Sequence, residues 1–295
     1  MDCLNFLETV DKQTPQPVYV LHGDEPFLKL QARAAIRQIV LGETDDGFAI
    51  GEHNGDKATW AAVVDDLTTL PMLSPRRLVV VTDADPFVSR ERAKLEKLFA
   101  ERVKITDPTG VLVLDVKTWA ATTKLAKQTP NAWLIVCDTP KSQALPQWCI
   151  SWCQSRFGKT LAAAAARLLV ELIGPHMGQL DMELDKLAVF AGASKKIETR
   201  DVDAIVGSRQ AETAWKLFTL IAAGKASESL TFLERLFDQG EDPMRLLGAF
   251  SYRLRSVAQA GRLAVQGVAM NDALKRAGVP YPALQETEQQ IRQLG

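Results

Sequence analysis

The sequence predicts an α/β domain followed by an all-helical region. In the first 140 residues, short apolar runs alternate with amphipathic segments of helical spacing, a pattern typical of a mostly parallel sheet with helices on both faces. Beyond about residue 140 only helical patterns continue. The 295 residues, 46% of them hydrophobic and 24% charged, have a globular composition and a length that suits about two domains or three small ones.

Four strands are predicted in the α/β domain, because each run is apolar throughout, as expected of a strand that is buried on both faces. They cover residues 18–21, 78–81, 110–114 and 132–136. Helices are predicted at residues 25–40, 60–70, 90–104 and 118–128. Strands that alternate with helices are typical of parallel pairing with helical crossovers.

Two groups of helices are predicted in the rest of the chain. The first group covers residues 148–154, 161–173, 177–191 and 200–206, with glycine breaks between its members. The second group covers residues 214–223, 227–237, 243–265 and 271–277. We therefore expect three domains, at residues 1–140, 141–209 and 210–295.

The charge balance and the hydropathy pattern exclude several classes of protein. Lys and Arg number 35 and Asp and Glu 36, so the formal net charge of −1 gives no global attraction to nucleic acid or to an anionic membrane. The longest apolar runs are far shorter than a membrane-spanning helix, and the N-terminus lacks the pattern of a signal peptide. We expect a cytoplasmic protein.

The four cysteines are too few for a disulfide scaffold. Cys149 and Cys153 have a C-x3-C spacing that could supply half a zinc site, but no second close pair of Cys or His completes it. His22, His53 and His176 are scattered, which argues against a Ser-His-Asp or Cys-His constellation. We expect buried thiols and no metal.

The turn after the first strand is where a phosphate-binding loop would lie, because an α/β domain with a helical lid is the layout of the AAA+ ATPases. Such a loop needs G-x-x-x-x-G-K-[ST], in which backbone N–H groups surround the phosphates and the lysine reaches them. Residues 22–29 read HGDEPFLK, with one glycine and two carboxylates. The Gly-Lys-Thr triplet at 158–160 has no preceding strand. We predict no nucleotide cofactor, and we interpret Asp115, at the place of a Walker-B acid, as a strand-end cap or a solvent-facing acid.

Four stretches of the chain carry patterns that can be compared with known families. They are residues 18–28, VYVLHGDEPFL, residues 67–81, residues 182–192, MELDKLAVFAG, and the most specific stretch, between residues 215 and 255. In order and spacing they resemble the delta subunit family of bacterial DNA polymerase III. The first stretch is similar to the family's first strand and helix start, the second to its segment of an apolar pair, arginine and strand, and the third to the end of a lid helix. Together the matches extend along nearly the whole chain.

This resemblance implies an AAA+-like domain, a helical lid domain and a helical collar domain that in the family continues beyond Gly295. It implies a clamp-loader subunit that binds the sliding clamp (the beta subunit) and opens it for loading on primed DNA during replication. The collar would join the gamma or tau and delta-prime subunits. The family does not hydrolyse ATP itself, so the chain would be a non-catalytic subunit of the DNA-directed DNA polymerase holoenzyme, a nucleotidyltransferase.

The clamp contact is predicted at Leu70, Pro71, Met72 and Leu73. Pro71 interrupts the helix that starts at Trp60, so the apolar residues after it lie on a short turn at an edge of the sheet. The resemblance places them where the family's apolar pair inserts into a clamp pocket. The other interpretation is that they cap the core of the domain.

Two other functions are open at this point. A delta-prime-like structural subunit is one, although that family's four-Cys zinc module and Ser-Arg-Cys finger are missing. An atypical nucleotide-dependent α/β enzyme is the other, and it would use acids at the strand ends, although no nucleophile with a base accompanies them. Those acids are Asp24, Asp83, Asp85, Asp115 and Asp138.

Nine basic residues are candidates for contacts with DNA phosphates, or else for solvated charges or charges that contact other subunits. They are Arg76, Arg77, Lys195, Lys196, Arg245, Arg253, Arg255, Lys275 and Arg276.

Overall fold

The computed structural model describes residues 1–42, 48–69, 74–207, 216–221, 223–238, 241–279, 284, 287–289 and 291. The contacts within the chain divide it into two compact units, Met1–Thr139 and Pro140–Gly295. The first unit ends within one residue of the predicted α/β domain. The second unit contains the predicted lid and collar together, and their separation into two domains stays a prediction.

The described part of the first unit is built on a parallel five-stranded sheet in the order β2-β3-β4-β1-β5. The strands are β1 (Val18–His22), β2 (Ile50–Asn54), β3 (Arg77–Thr82), β4 (Gly110–Val116) and β5 (Leu134–Val136). The helices are α1 (Cys3–Glu8), α2 (Pro26–Leu41), α3 (Trp60–Thr68), α4 (Asp85–Arg90), α5 (Arg92–Arg102) and α6 (Lys124–Gln128). The predicted α/β class with a parallel sheet is confirmed.

The two faces of the sheet are covered by different helices, because successive strand residues point to opposite sides. Val18 and Val20 of β1 belong to a core that also holds side chains of α3, α4, α5 and α6. Tyr19 points the other way and meets Phe6 of α1 edge to face, with ring centroids 6.4 Å apart. Phe99 is fully buried in the first of these cores, 5.5 Å from the ring of Trp133.

The second unit is mainly helical, as the sequence predicts. Its first elements are α7 (Leu145–Phe157), β6 (Thr160–Leu161), α8 (Ala163–Ile173), α9 (Met177–Phe190), β7 (Lys196–Ile197) and α10 (Thr199–Val202), followed by a π-helical turn at Asp203–Gly207. Residues 216–221 are helical, and α11 (Ala226–Asp238), α12 (Pro243–Val265) and α13 (Met270–Arg276) follow. Among the helices described here, none is long and apolar enough to cross a membrane.

Several short elements were not expected from the sequence. Strand β2 reads IGEHN and lies at an edge of the sheet, so it lacks the continuous apolar run of a strand that is buried on both faces. Helix α1 has six residues, and β6 and β7 pair over two residues each, too short for a period to be recognised.

Two predicted helices differ in extent from the observed ones. The helix predicted at 90–104 corresponds to α5, and a separate helix that was not predicted, α4, ends at Arg90, with Glu91 between the two. The helix predicted at 118–128 is only α6, because Thr123 caps its N-terminus by accepting a hydrogen bond from the Ala126 N–H. The backbone N–H of Thr118 donates instead to Asp85, outside any helix.

We predict that Phe99→Ala lowers the free energy of unfolding by about 3–5 kcal/mol, because it removes a large buried ring between Trp119 and Trp133 and leaves a cavity. Urea unfolding followed by circular dichroism measures the loss. Phe48→Ala is the matched control, since Phe48 is 82% exposed and its truncation is expected to cost less than about 0.5 kcal/mol. Equal losses in the two variants would contradict the placement of Phe99 in the core.

Candidate functional site

A cleft with a volume of about 430 Å³ opens at the carboxyl edge of the sheet. It lies beyond the ends of β1, β3 and β4, where ligands bind in open parallel sheets. Its lining residues are Gly23, Asp24, Pro26, Lys29, Arg33, Asp83, Asp85, Asp115 and Lys117. The cleft therefore contains the turn between β1 and α2, the place that a phosphate-binding loop would occupy.

The backbone N–H groups of this turn are engaged within the chain. Gly23 N–H donates to the Lys117 carbonyl (3.2 Å) and Glu25 N–H to the Cys137 carbonyl (2.9 Å). Phe27 N–H, in the first turn of α2, donates to the Glu25 carboxylate at 3.0 Å. In a phosphate loop such groups point at the ligand. Here a carboxylate of the chain itself occupies the anion position at the start of α2.

Gly23 is required by the packing of this turn rather than by a ligand. Its φ of +136° is a conformation that other residues rarely adopt, and a Cβ at this position would lie 2.3 Å from the carbonyl of Cys137. The next residue, Asp24, accepts hydrogen bonds from the backbone N–H and the hydroxyl of Thr139, at 3.0 and 3.1 Å. These bonds hold the pKa of Asp24 below its ordinary value. The turn is thus tied to the segment that follows β5.

Asp115 is buried and ion-paired, so its interpretation as a strand-end cap or a solvent-facing acid is wrong. It is 9% exposed, and its carboxylate lies 2.8 Å from Lys29 Nζ and 3.5 Å from Arg33 Nη1. Lys29 also donates to the Val116 carbonyl at 2.8 Å. The cause is that α2 presents two cations, one helical turn apart, to the end of β4. The lysine that could have reached a phosphate is neutralised within the chain.

Asp85, another acid at the carboxyl edge of the sheet, binds backbone N–H groups. Its carboxylate accepts hydrogen bonds from the N–H groups of Lys117 and Thr118, at 2.9 and 3.2 Å. Three of the five predicted strand-end acids, Asp24, Asp85 and Asp115, thus have carboxylates that bind other groups of this chain. In the described ranges, no three His, Cys, Asp or Glu side chains come together as metal ligands would.

The predicted clamp contact, Leu70, Pro71, Met72 and Leu73, lies outside the described residues. The residues on either side of it are held firmly at the amino edge of the sheet. Before it, the Thr69 N–H donates to the Asp65 carbonyl at 3.0 Å and so ends α3. After it, the Arg77 N–H donates to the Thr109 carbonyl at 2.7 Å and so begins β3.

An ion-pair cluster around Asp66 joins these two flanks. The Asp66 carboxylate accepts hydrogen bonds from Arg77 Nε and Nη2 and lies 3.0 Å from His53 Nε2 of β2. The carbonyl of the next residue, Leu67, packs against Gly110, where a Cβ would be 2.1 Å from its oxygen. The end of α3 and the start of β3 are therefore tied to each other and to the sheet.

This cluster was not predicted, and it changes the interpretation of the basic residues. Arg77, a candidate for DNA contact, is instead paired with Asp66, and Arg76 pairs with Asp107 at 2.7 Å. In the second unit Lys196 pairs with Glu198 at 3.1 Å. The side chains of Arg245 and Arg253 lie outside the described residues, and Arg255 pairs with Glu171. Pairing within the chain is thus a role that the sequence analysis did not assign to these residues.

The part of the chain that forms the sheet and the cleft is similar to a known protein family. Residues 19–137, which contain the sheet, the cleft and the predicted clamp contact, match the family model described as "DNA polymerase III, delta subunit". The resemblance of this chain to the delta subunit family is confirmed. The match favours delta over the delta-prime and enzyme alternatives.

Two relatives of the delta subunit family resemble nearly the whole chain. The DNA polymerase III subunit delta of Bacillus subtilis is 24% identical over 271 residues, which are 88% of this chain and 77% of that protein. The solved structure of the Bacillus subtilis DNA clamp loader delta protein superposes with a TM-score of 0.62 at 22% identity, over 99% of this chain and 88% of that one. The predicted fold class is thereby confirmed, since this chain shares the fold of that delta protein.

We predict that Lys29→Met lowers the free energy of unfolding by about 3–5 kcal/mol, because it leaves the Asp115 carboxylate buried with only the more distant Arg33. Urea unfolding measures the loss. Lys124→Met is the control, since the pair of Lys124 with Glu96 is 70% exposed on the lysine side and is worth less than about 1 kcal/mol.

A second variant separates loss of charge pairing from loss of packing. Adding Asp115→Asn to Lys29→Met removes the unpaired charge and should recover part of the stability. A double variant that is as unstable as the sum of the two single variants would contradict a role as an ion pair.

Proposed function

We propose that this chain is the delta subunit of a bacterial clamp loader, which binds the sliding clamp and opens it for loading on primed DNA without hydrolysing ATP. The match of the first unit to the delta subunit family carries this proposal. The cleft supports it, because the groups that would bind a triphosphate are engaged within the chain. Such a subunit acts in the cytoplasm as a non-catalytic part of the polymerase holoenzyme.

The clamp contact is proposed at Leu70, Pro71, Met72 and Leu73. Met72 and Leu73 are large apolar residues, and methionine is flexible and polarizable enough to fit a pocket on another protein. Burying two such side chains is worth roughly 3–6 kcal/mol, which suits the dominant anchors of an interface. The Asp66 cluster supports this assignment, because anchoring both flanks lowers the conformational cost of presenting the segment.

Assembly with the gamma or tau and delta-prime subunits is proposed to involve the second unit. In its helices, Leu236 and Leu246 are buried, and Phe232 and Phe250 pack against them. On α12, however, Met244, Leu247 and Leu254 are 65%, 56% and 44% exposed. Their spacing of three and seven residues places them on one face of the helix. An exposed apolar face supports contact with a partner subunit.

The first test replaces the proposed anchors. Met72→Ser with Leu73→Ser is expected to weaken binding to the sliding clamp of the same organism at least about a hundredfold, because two buried apolar side chains are lost. Surface plasmon resonance with immobilised clamp measures the affinity, and thermal unfolding checks the fold. Val189→Ser with Phe190→Ser is the matched control, since this pair is exposed on α9. Intact clamp binding with a lowered melting temperature would show that the segment caps the core instead.

The second test concerns nucleotide. We predict no saturable binding of Mg-ATP to the purified chain by titration calorimetry at millimolar concentration, since Lys29 and the α2 N-terminus already hold carboxylates of the chain. Saturable binding that is lost in the Lys29→Met variant and kept in Lys124→Met would overturn this part of the proposal.

A further inference from the structure

Cys3 and Cys137 come from opposite ends of the first unit's sequence and lie side by side in space. Asp2 forms a parallel bridge with Val136, the last residue of β5, and the Val136 N–H donates to the Met1 carbonyl at 2.8 Å. Cys3, the first residue of α1, and Cys137 are the residues that follow this bridge on the two segments. Paired segments are about 4.8 Å apart at a bridge, so the residues next to it start close to the roughly 4.4–6.8 Å between Cα atoms that a disulfide spans.

The two thiols lie in the same buried region. The Cys3 thiol donates to the Leu28 carbonyl of α2 at 3.4 Å, and the Cys137 thiol lies 3.9 Å from the Ile135 carbonyl of β5. Both side chains are fully buried. The neighbouring Cys137 thiol and, to a lesser degree, burial raise the pKa of Cys3 far above its ordinary value. Because both thiols are buried, an oxidant in solution reaches them only if the short helix α1 opens locally.

Cys149 and Cys153 provide an internal comparison. They are also buried, one turn apart on α7, and burial raises the pKa of Cys149 to about 12. Cβ atoms one turn apart on a helix are about 5–6 Å from each other, whereas a disulfide needs about 3.5–4.5 Å. A disulfide between Cys149 and Cys153 would therefore distort α7. Both cysteine pairs are buried, but only the positions of Cys3 and Cys137 suit a disulfide without distortion of a helix.

We propose that Cys3 and Cys137 form a modification site, a dithiol that closes to an intramolecular disulfide under an azo-type or disulfide-type thiol oxidant. With an azo compound, the N=N bond is reduced to a hydrazine that takes up both thiol hydrogens as the S–S bond forms. With a small disulfide, one thiolate forms a mixed disulfide and releases one small thiol. The other cysteine then displaces the second. The new bond ties α1 to the end of β5.

The test uses the full chain under native conditions, with diamide as the oxidant. Remaining thiols are alkylated in denaturant, and peptides are identified by mass spectrometry. The proposal expects a Cys3–Cys137 cross-linked peptide, loss of two alkylatable thiols, and a rise in melting temperature of roughly 5–15 °C that a reductant reverses. Oxidation of Cys149 and Cys153 first, or diamide adducts without a cross-link, would overturn it.

Variants make the assignment specific. Cys149→Ser is expected to keep the cross-link and the rise in melting temperature, whereas Cys3→Ser and Cys137→Ala should each lose both. The two variants are read together, so that a folding defect in one does not decide the result. A rise in melting temperature with diamide in a folded Cys3→Ser or Cys137→Ala chain would refute the pair as its source.

Discussion

The buried ion pair between Lys29 and Asp115 is the interaction on which the carboxyl edge of the first unit depends. It joins the first turn of α2 to the end of β4, with Arg33 as a second cation. Buried charges are tolerated only when they satisfy each other, so the pair determines where α2 lies over the strand ends. Glu25 completes the arrangement by capping the same helix. A site that phosphate-binding proteins of this layout complete with a ligand is completed here by the chain's own side chains.

In the parallel sheet, the cleft at the carboxyl edge is separate from the ion-pair cluster around Asp66. The cleft lies where the strands end, whereas the end of α3 and the start of β3 lie near the edge where the strands begin. Asp66 of α3 and Arg77 of β3 are held together with His53 of β2, and this cluster shares no side chain with the Lys29 pair. The two regions are therefore stabilised by separate sets of charges.

The local sequence pattern was sufficient to predict the elements that are long or buried on both faces. β1, β3 and β4 agree with their predicted positions to within two residues at each end, because each is a continuous apolar run. Strand β2 was not predicted, because as an edge strand it lacks a continuous apolar run. Helical spacing shows that Lys29 and Arg33 share a face of α2, but the strand that they face depends on sheet order, which no local pattern contains. The segment at 70–73 was assigned by family resemblance and stays a prediction.

The bridge between Asp2 and Val136 also affects how molecules of this protein meet one another. Open sheet edges are templates for strand pairing between molecules, which leads to aggregation. The main chain of Met1 and Asp2 occupies the β5 edge. At the opposite edge β2 is five residues long and carries the exposed charge of Glu52. Neither edge of the described sheet offers a long apolar template, so two copies of this chain have little that would join their sheets.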